Sequence, residues 1–432
     1  MNGRKGAQHF SEGHHLDLLK GGVEFFPAAE EAIDAAQREV WMETYIFEPD
    51  ASGKRLADAL SRAAQRGAHV RLVVDGFGSG GHAQALRDQL SQAGVEFGVF
   101  SPVKSLLGMF FGKQLRRLHR KLLVVDGQYA FCGGINVLDD YWDPNHGALD
   151  QPRLDFAVRL QGPLVPAVRD AMERMWWRVD AFGRVRERQF KAAMTAMRDA
   201  PQQFRRWASG TKANWESTWT DWQKKRTAQG WEQRSLLPDM GEMRAAFLLR
   251  DNVTNRRRIE GAYLAAIRSA RREIFIANAY FLPGRRIRKA LQAAVNRGVT
   301  VKLLLQGRYE YFVQYHATHA IYDFLLNSGM QVYEYKASFL HAKVAVIDSR
   351  WSTVGSSNLD PLSMLLAYEA NVVVDSARFA SELRGALIEA MDNGATRLDA
   401  ASYSRRSLGK RVLNWLAYGM FRLGVAITGK RY

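Results

Sequence analysis

Two stretches of the chain carry the same chemically capable residues at the same spacing. His119-x-Lys121-x4-Asp126 is followed by Gly133-Gly134 and Asn136, and His341-x-Lys343-x4-Asp348 is followed by Gly355-Ser356 and Asn358. Each asparagine stands 17 residues after its histidine. One such motif carries little weight; two, held in register within a longer repeat, do not arise as surface histidines on unrelated strands. Lys121-Leu122-Leu123-Val124-Val125 and Lys343-Val344-Ala345-Val346-Ile347 read as strands, and alternation along a strand points residues two apart to the same face. Each histidine therefore points with its lysine. If both pairs converge on one pocket, the set suits a phosphodiester. The lysines hold the non-bridging oxygens and offset charge in the transition state. One neutral imidazole attacks phosphorus and the other, protonated, donates to the leaving oxygen.

Identical groups with opposite protonation need surroundings that push their pKa values apart. Asp155 and Glu369 stand at matching places, in Leu154-Asp155-Phe156-Ala157-Val158 and Tyr368-Glu369-Ala370-Asn371-Val372. Each is a candidate to orient a histidine through its second ring nitrogen; the alternative is a surface or salt-bridged acid. The chemistry needs no metal and no cofactor, because lysines stand where a cation would, and His-x-Lys is not a zinc spacing. His316-x-x-His319 lacks a third ligand and reads as a solvated or substrate-facing pair.

The elements that must position these residues also repeat. Arg38-Glu39-Val40-Trp41-Met42 opens an apolar strand reaching Tyr45-Ile46-Phe47, and Arg272-Glu273-Ile274-Phe275-Ile276 opens one reaching Tyr280-Phe281-Leu282. Each is followed by a helical stretch ending in Arg66-Gly67 or Arg297-Gly298. A second strand follows (Val70 to Val74, Val301 to Leu305), then Gly76 or Gly307, and a helix ending near Gly94 or Gly329. The strands are continuous apolar runs, so both faces are expected to be covered. The fold class expected is α/β, with two lobes related by a pseudo-two-fold axis and one site at their interface. The boundaries read as a disordered N-terminus (1–9), lobe one (10–183), a basic Trp-rich connector (184–243), lobe two (244–400) and an amphipathic tail (401–432).

The 432 residues include 61 Lys and Arg against 44 Asp and Glu, a net charge of +17. Such a field favours anionic partners, whether nucleic acid, acidic lipid surfaces or phosphorylated substrates. The single cysteine, Cys132, excludes an intramolecular disulfide, fits a reducing compartment and reads as a buried small residue rather than a nucleophile. The first 19 residues lack the apolar stretch of a signal peptide, and no uncharged apolar run is long enough to span a bilayer. Gly76-x-Gly78-x-x-Gly81 matches a dinucleotide fingerprint. The second lobe has Gly307-Arg308-Tyr309 there instead, and the repeat already accounts for the strand.

With its paired motifs the chain resembles the phospholipase D superfamily over both lobes. Glu24-Phe25-Phe26-Pro27, Arg250-Asp251-Asn252, Ile259-Glu260, the run from Ile276 to Gly284 and Gly355-Ser356-Ser357-Asn358-Leu359-Asp360-Pro361 are similar to bacterial cardiolipin synthases of the B type. The resemblance implies a two-step transfer through a phosphatidyl-histidine. Phosphatidylglycerol serves as donor and acceptor, and phosphatidylethanolamine as an alternative donor. His119 is implied as nucleophile and His341 as acid/base; Asn136, Asn358 and Ser356 lie near the phosphate, and Asp126 and Asp348 are structural members of the motifs. It also implies a bacterial enzyme, peripheral on the cytoplasmic side of the cell membrane, with an anionic lipid surface as partner and no obligatory nucleic acid. The Trp-rich connector is longer than the resemblance leads one to expect.

Three segments offer contact with a bilayer. The apolar Leu106, Leu107, Met109, Phe110 and Phe111 lie between Lys104 and Lys113, just before His119. The connector carries Trp207, Trp215, Trp219, Trp222 and Trp231 among basic residues. The tail combines Arg405, Arg406, Lys410 and Arg411 with Trp415, Leu416, Phe421 and Leu423, which reads as an interfacial helix, with a helix docked on the protein as the alternative. A phospholipase D-type nuclease, a hydrolytic phospholipase D and an inactive lipid-binding scaffold are the rival readings. Intact His and Lys in both motifs argue against the last.

Overall fold

The computed structural model describes residues 10–102, 116–186, 243–251 and 255–427. The apolar stretch around Leu106, the tryptophans of the connector and the expected disorder of residues 1–9 lie outside them. Residues 1–169 and 243–432 form one compact unit. Residues 170–242 form a second, described as far as 186 within the helix Val165–Arg186.

The first lobe contributes β1 (Ser11–Lys20), β2 (Glu39–Thr44), β3 (His69–Asp75), β4 (Glu96–Phe100), β5 (Leu122–Val125), β6 (Tyr129–Gly133), a small hairpin of β7 (Trp142–Asp143) and β8 (Gly147–Ala148), and β9 (Phe156–Gln161). The second contributes β10 (Met243–Arg250), β11 (Glu273–Asn278), β12 (Thr300–Gln306), β13 (Gln331–Tyr335), β14 (Lys343–Ile347), β15 (Trp351–Gly355), β16 (Glu369–Asp375) and β17 (Ala395–Arg397). The larger sheet has 15 strands in the order β17-β13-β12-β11-β14-β15-β16-β10-β1-β9-β6-β5-β2-β3-β4. Read outward from the antiparallel β10–β1 pair, the two halves have the same order and the same pairing senses for seven strands, and the second adds β17 at its edge. This is the pseudo-two-fold the repeat implies.

The reasons are local. The helix after β2 or β11 ends where a glycine takes a positive φ, Gly67 at 97° and Gly298 at 86°, a conformation glycine adopts without a Cβ clash. The chain then turns into β3 or β12, laid parallel to β2 or β11. Apolar residues bury on both sides of the sheet: all of β5 and β14 is buried. One core cluster gathers Ile33, Leu60 and Val74 in the first lobe, and another gathers Ile267, Leu291 and Leu305 in the second. Gly76 and Gly78, part of the dinucleotide-like pattern, serve close backbone approach. A Cβ on Gly76 would meet the Pro102 backbone, and one on Gly78 the Tyr45 carbonyl oxygen. Cys132 is buried with Sγ 3.8 Å from the Ala370 oxygen, and burial pushes its thiol up to about 12.

The motif aspartates lie at the far end of their strands from the histidines. Asp126 accepts from the backbone N–H groups of Gln37, Arg38 and Glu39, and Asp348 from those of Arg271, Arg272 and Glu273. Both adopt positive φ, 52° and 53°, which aspartate tolerates better than most residues. Burial alone would raise these carboxyls, yet the converging N–H groups hold both below the usual range. Each acid thus ties the turn after its motif strand to the start of the neighbouring strand. Asp126→Ala or Asp348→Ala should lower stability by about 1–2 kcal/mol in urea unfolding, with Asn milder because it keeps one acceptor and the same φ. An unchanged midpoint in both alanine variants would remove the anchoring role.

Candidate active site

The two motifs meet at the lobe interface by exchanging partners. The backbone before each histidine pairs with the backbone before the other lobe's acid. His119 N donates to Tyr368 O at 3.0 Å and Tyr368 N to Arg117 O at 2.8 Å; His341 N donates to Leu154 O at 2.9 Å and Leu154 N to Phe339 O at 2.9 Å. This clasp puts each acid of the second shared motif beside the opposite lobe's ring. His119 Nδ1 lies 3.1 Å from Glu369 Oε2, and His341 Nδ1 lies 2.6 Å from Asp155 Oδ2. The imidazole of each lobe is oriented by the carboxylate of the other, so neither lobe alone contains a complete set.

With Nδ1 bound to a carboxylate, the tautomer that leaves Nε2 free is favoured on both rings. The lysines are positioned from within their own motifs: Lys121 Nζ donates to His119 O at 2.8 Å, and Lys343 Nζ to His341 O. Burial lowers Lys121 to about 7, with Lys343 pushing the same way, and lowers Lys343 to about 8 against the pull of Asp155 and Glu369. Burial lowers His119, and Glu369 partly restores it. Burial and then Lys343, Lys121 and Arg153 hold His341 well below its usual value. Two lysines and two histidines from separate halves thus feel one another's charge.

The pseudo-symmetry is broken where the acids are held. Ser356 Oγ donates to Glu369 Oε2 at 2.5 Å. Burial would raise Glu369, but His119, Lys121 and this hydroxyl keep it below the usual range. The matching residue in the first lobe is Gly134, where a Cβ would meet Asp155 Oδ1 at 2.2 Å. Asp155 has no such hydroxyl, and burial raises it to about 7 despite Lys343 and the Phe156 N–H. Asn136 Oδ1 accepts from Ile46 N at 3.3 Å and Asn358 Oδ1 from Tyr280 N at 3.4 Å. Both are buried and hold the chain leaving β2 and β11.

That pair agrees with the repeat, since Ile46 and Tyr280 stand equally far from Arg38 and Arg272. Ile46, not Tyr45, matches Tyr280, because both N–H groups meet the same motif asparagine. Tyr45 therefore stands opposite Ala279. Its ring packs edge-on to His119 at 4.9 Å, with Lys121 Nζ 5.3 Å from its centre. The correspondence of Tyr45 with Ala279 follows from their equal distance from Arg38 and Arg272, but the motifs do not announce the contact with His119. Asp75 is a second residue the motifs do not announce. It is fully buried, accepts from Leu118 N at 2.7 Å and is raised to about 6 by burial, while Gln306 accepts from Leu340 N at 3.1 Å in the second lobe. His316 and His319 do not form the solvated pair their spacing suggests. His316 Nδ1 bonds Asn414 Oδ1, while His319 is buried with both nitrogens committed, to Tyr315 O and Glu334 Oε1.

The family profile described as cardiolipin synthase, PLD-like domain, matches residues 30–149 and 263–390. Cardiolipin synthase B of Salmonella typhimurium is 36% identical over 420 residues, covering 97% of this chain and 90% of the relative. The chain belongs to the cardiolipin synthase family of the phospholipase D type. Cardiolipin synthase B of Escherichia coli K12 is 34% identical over 418 residues, covering 97% of this chain and 90% of that one. Among solved structures, a phosphatidylserine synthase from Haemophilus influenzae Rd KW20 superposes with a TM-score of 0.67 over 97% of this chain and 96% of its own, at 12% identity, a likeness of fold. For this cardiolipin synthase fold, the profile's two segments fall one in each lobe, and each contains one His-Lys pair.

Replacing either orienting carboxylate by its amide tests the exchange. Glu369→Gln and Asp155→Asn should each lower turnover by about 10²-fold or more. With one opposing charge gone, the lysines should also lose their protons at lower pH, moving the alkaline edge of the pH profile down. Near-normal turnover with an unmoved edge in both variants would show that the acids do not govern the histidines.

Proposed function

We propose that this protein is a cardiolipin synthase that joins two phosphatidylglycerol molecules, giving cardiolipin and glycerol through a phosphatidyl-histidine. The observation that carries this reading is the exchange of carboxylates across the lobes, which brings both His-Lys pairs to one pocket. His119 Nε2 attacks the phosphorus of the donor while its Nδ1–H is held by Glu369. The phosphorus–oxygen bond to the headgroup breaks, and protonated His341 gives its proton to the departing glycerol oxygen. Neutral His341 then takes the proton of an acceptor hydroxyl, whose oxygen attacks the phosphorus and releases His119. Lys121 and Lys343 hold the non-bridging oxygens throughout. Burial and then the lysines depress both rings; a bound phosphodiester cancels part of the lysine charge and raises the ring that must carry a proton. Phosphatidylethanolamine is an alternative donor, since the headgroup leaves at the first step.

A second feature fits a lipid substrate. The helix Leu408–Ile427 packs inward through Asn414, Ala417, Tyr418 and Phe421, and exposes Leu408, Val412, Trp415, Leu416, Met420 and Leu423. The exposed set follows one helical face, with exposed Lys410 and Arg411 beside it. Phe421, expected on the lipid side, packs on the protein instead. Among the described residues no helix is long and apolar enough to cross a membrane. A helix of this kind lies in the interface with its bases on anionic headgroups. On this reading the enzyme is peripheral, at the cytoplasmic face of the membrane.

Phosphatidylglycerol vesicles should yield cardiolipin and glycerol. Phosphatidic acid alone would indicate hydrolysis, and nicking of added plasmid DNA would indicate a nuclease. His119→Ala and His341→Ala should each abolish turnover and leave the fold intact by circular dichroism; substantial turnover in either refutes the paired mechanism. The pH profile follows from the lysines. A lowered lysine pKa means the charged form is lost early as pH rises, so kcat/KM should fall with an alkaline limb in the region of 7 to 8. Bound phosphodiester favours the charged form, so the limb in kcat should lie higher; a limb at the same pH in both, or none below 10, would contradict the lysine role. Leu416→Glu with Trp415→Glu should weaken vesicle flotation at least tenfold, since each large side chain contributes about 1.5–3 kcal/mol when buried. Unchanged flotation removes this face from membrane binding.

A further inference from the structure

The two lobes differ most beside the His341 motif. At the end of β3, Asp75 is satisfied by backbone groups on both oxygens: Phe77 N at 2.8 Å and Gly78 N at 3.3 Å on Oδ1, Leu118 N at 2.7 Å on Oδ2. At the matching end of β12, Gln306 uses Oε1 for Leu340 N, but its Nε2 is buried with no partner among the described residues. Gln306 is 9% exposed and lines a cleft of about 290 Å³, counting the part open to solvent.

Tyr280, Arg308, Glu310, Gln314 and Thr318 complete the part of the wall that matters here. Tyr280 Oη donates to Glu310 Oε2 at 2.9 Å, which fixes the carboxyl and leaves its other oxygen to accept. Burial raises Glu310, and its charge is felt at Lys343. The cleft is tied to the motif on both sides of His341. Gln306 holds the N–H of Leu340, and Ala279, also in the wall, donates its N–H to Ala342 O at 3.1 Å. An unused amide donor, a fixed carboxyl acceptor and the amide of Gln314 match an alcohol bearing more than one hydroxyl, where each oxygen both gives and takes a hydrogen bond. Arg308 lines the same wall and Arg153 acts on Glu310 from nearby, so a cationic headgroup meets like charge.

We propose that this cleft is the subsite for the polyhydroxyl headgroup of the acceptor lipid, with Gln306, Glu310 and Gln314 as its specificity-determining contacts. The inference rests on the phosphatidyl-transfer reading and adds the reason transfer prevails over hydrolysis. An acceptor glycerol seated here brings a hydroxyl to His341, the ring that takes its proton, and displaces the water that would otherwise attack phosphorus. The hydroxyl oxygen forms the new bond to phosphorus, the proton goes to His341 Nε2, and the His119–phosphorus bond breaks. The same cleft receives glycerol leaving a phosphatidylglycerol donor, so free glycerol should compete for it.

The test measures cardiolipin, phosphatidic acid and inhibition by added glycerol on phosphatidylglycerol vesicles, for the full chain and for Glu310→Ala, Glu310→Gln and Gln314→Ala. The variants should shift products from cardiolipin towards phosphatidic acid by about tenfold, the worth of one good hydrogen bond to such a group. Inhibition by glycerol should weaken by a similar factor. Gln314→Ala, a surface-lining change, keeps the test valid if Glu310 variants fold poorly. Wild-type protein that makes cardiolipin, with variants of unaltered product ratio and glycerol inhibition, overturns the subsite alone. Wild-type protein that makes no cardiolipin overturns the transfer reading itself.

Discussion

The site depends on burying four opposite charges where the lobes meet. Lys121, Lys343, Asp155 and Glu369 are all buried, and each lobe supplies one cation and one anion. Ions removed from water are tolerated only when paired and hydrogen-bonded. Here each acid reaches the opposite lobe's histidine, so the compensation exists only in the closed arrangement. A separated lobe would keep its lysine and histidine but lose the carboxylate that orients the ring. The backbone clasp at Tyr368 and Leu154 therefore does more than hold two halves together, because it places a carboxylate against Nδ1 of each ring. The two lysines remain close to losing their protons. Burial leaves both short of compensating negative charge, which a bound phosphodiester would supply.

Much of this was legible in the sequence for reasons of periodicity. The His-x-Lys-x4-Asp pair, the Arg-Gly helix ends and the apolar strands recur at matched intervals, and each reports a local requirement that the chain must meet twice. The carboxylates were visible as matching residues, but their partners were not. Asp155 follows His119 by 36 residues and Glu369 follows His341 by 28, and spacing alone is consistent with pairing inside a lobe or across lobes. Only the parallel bridges Leu118–Tyr368 and Leu154–Leu340 decide it. Phe421 was assigned to the lipid side on composition, whereas the helix turns it onto the second lobe's core.

The cleft beside His341 was not legible at all. Gln306 and Glu310 sit at a strand end and in the following loop, and no motif marks them. Their meaning comes from comparison within the molecule. Asp75 and Gln306 do the same backbone job one residue before each motif histidine, and only the glutamine keeps a donor unused. Internal repeats supply this kind of control, because the duplicate element indicates what the scaffold requires and the difference indicates what it does not.

A two-step transfer asks two chemically identical imidazoles to behave differently, and a symmetric scaffold cannot arrange that by itself. The structure leaves the histidines and lysines alike and varies what touches them. Glu369 with the Ser356 hydroxyl faces His119, while Asp155 against Gly134 faces His341; Tyr45 packs on one ring where the other lobe has Ala279. Glutamate is one methylene longer than aspartate, and the glycine at 134 leaves no room for the serine that would restore the match. These changes lie one contact away from the reacting atoms. They shift the carboxyl on the Glu369 side down and the one on the Asp155 side up, so the proton shared with each ring is held differently. The duplication thus fixes where the two histidines meet, and the departures from duplication give each ring a different carboxyl environment, as the proposed division between a nucleophile and a proton carrier requires.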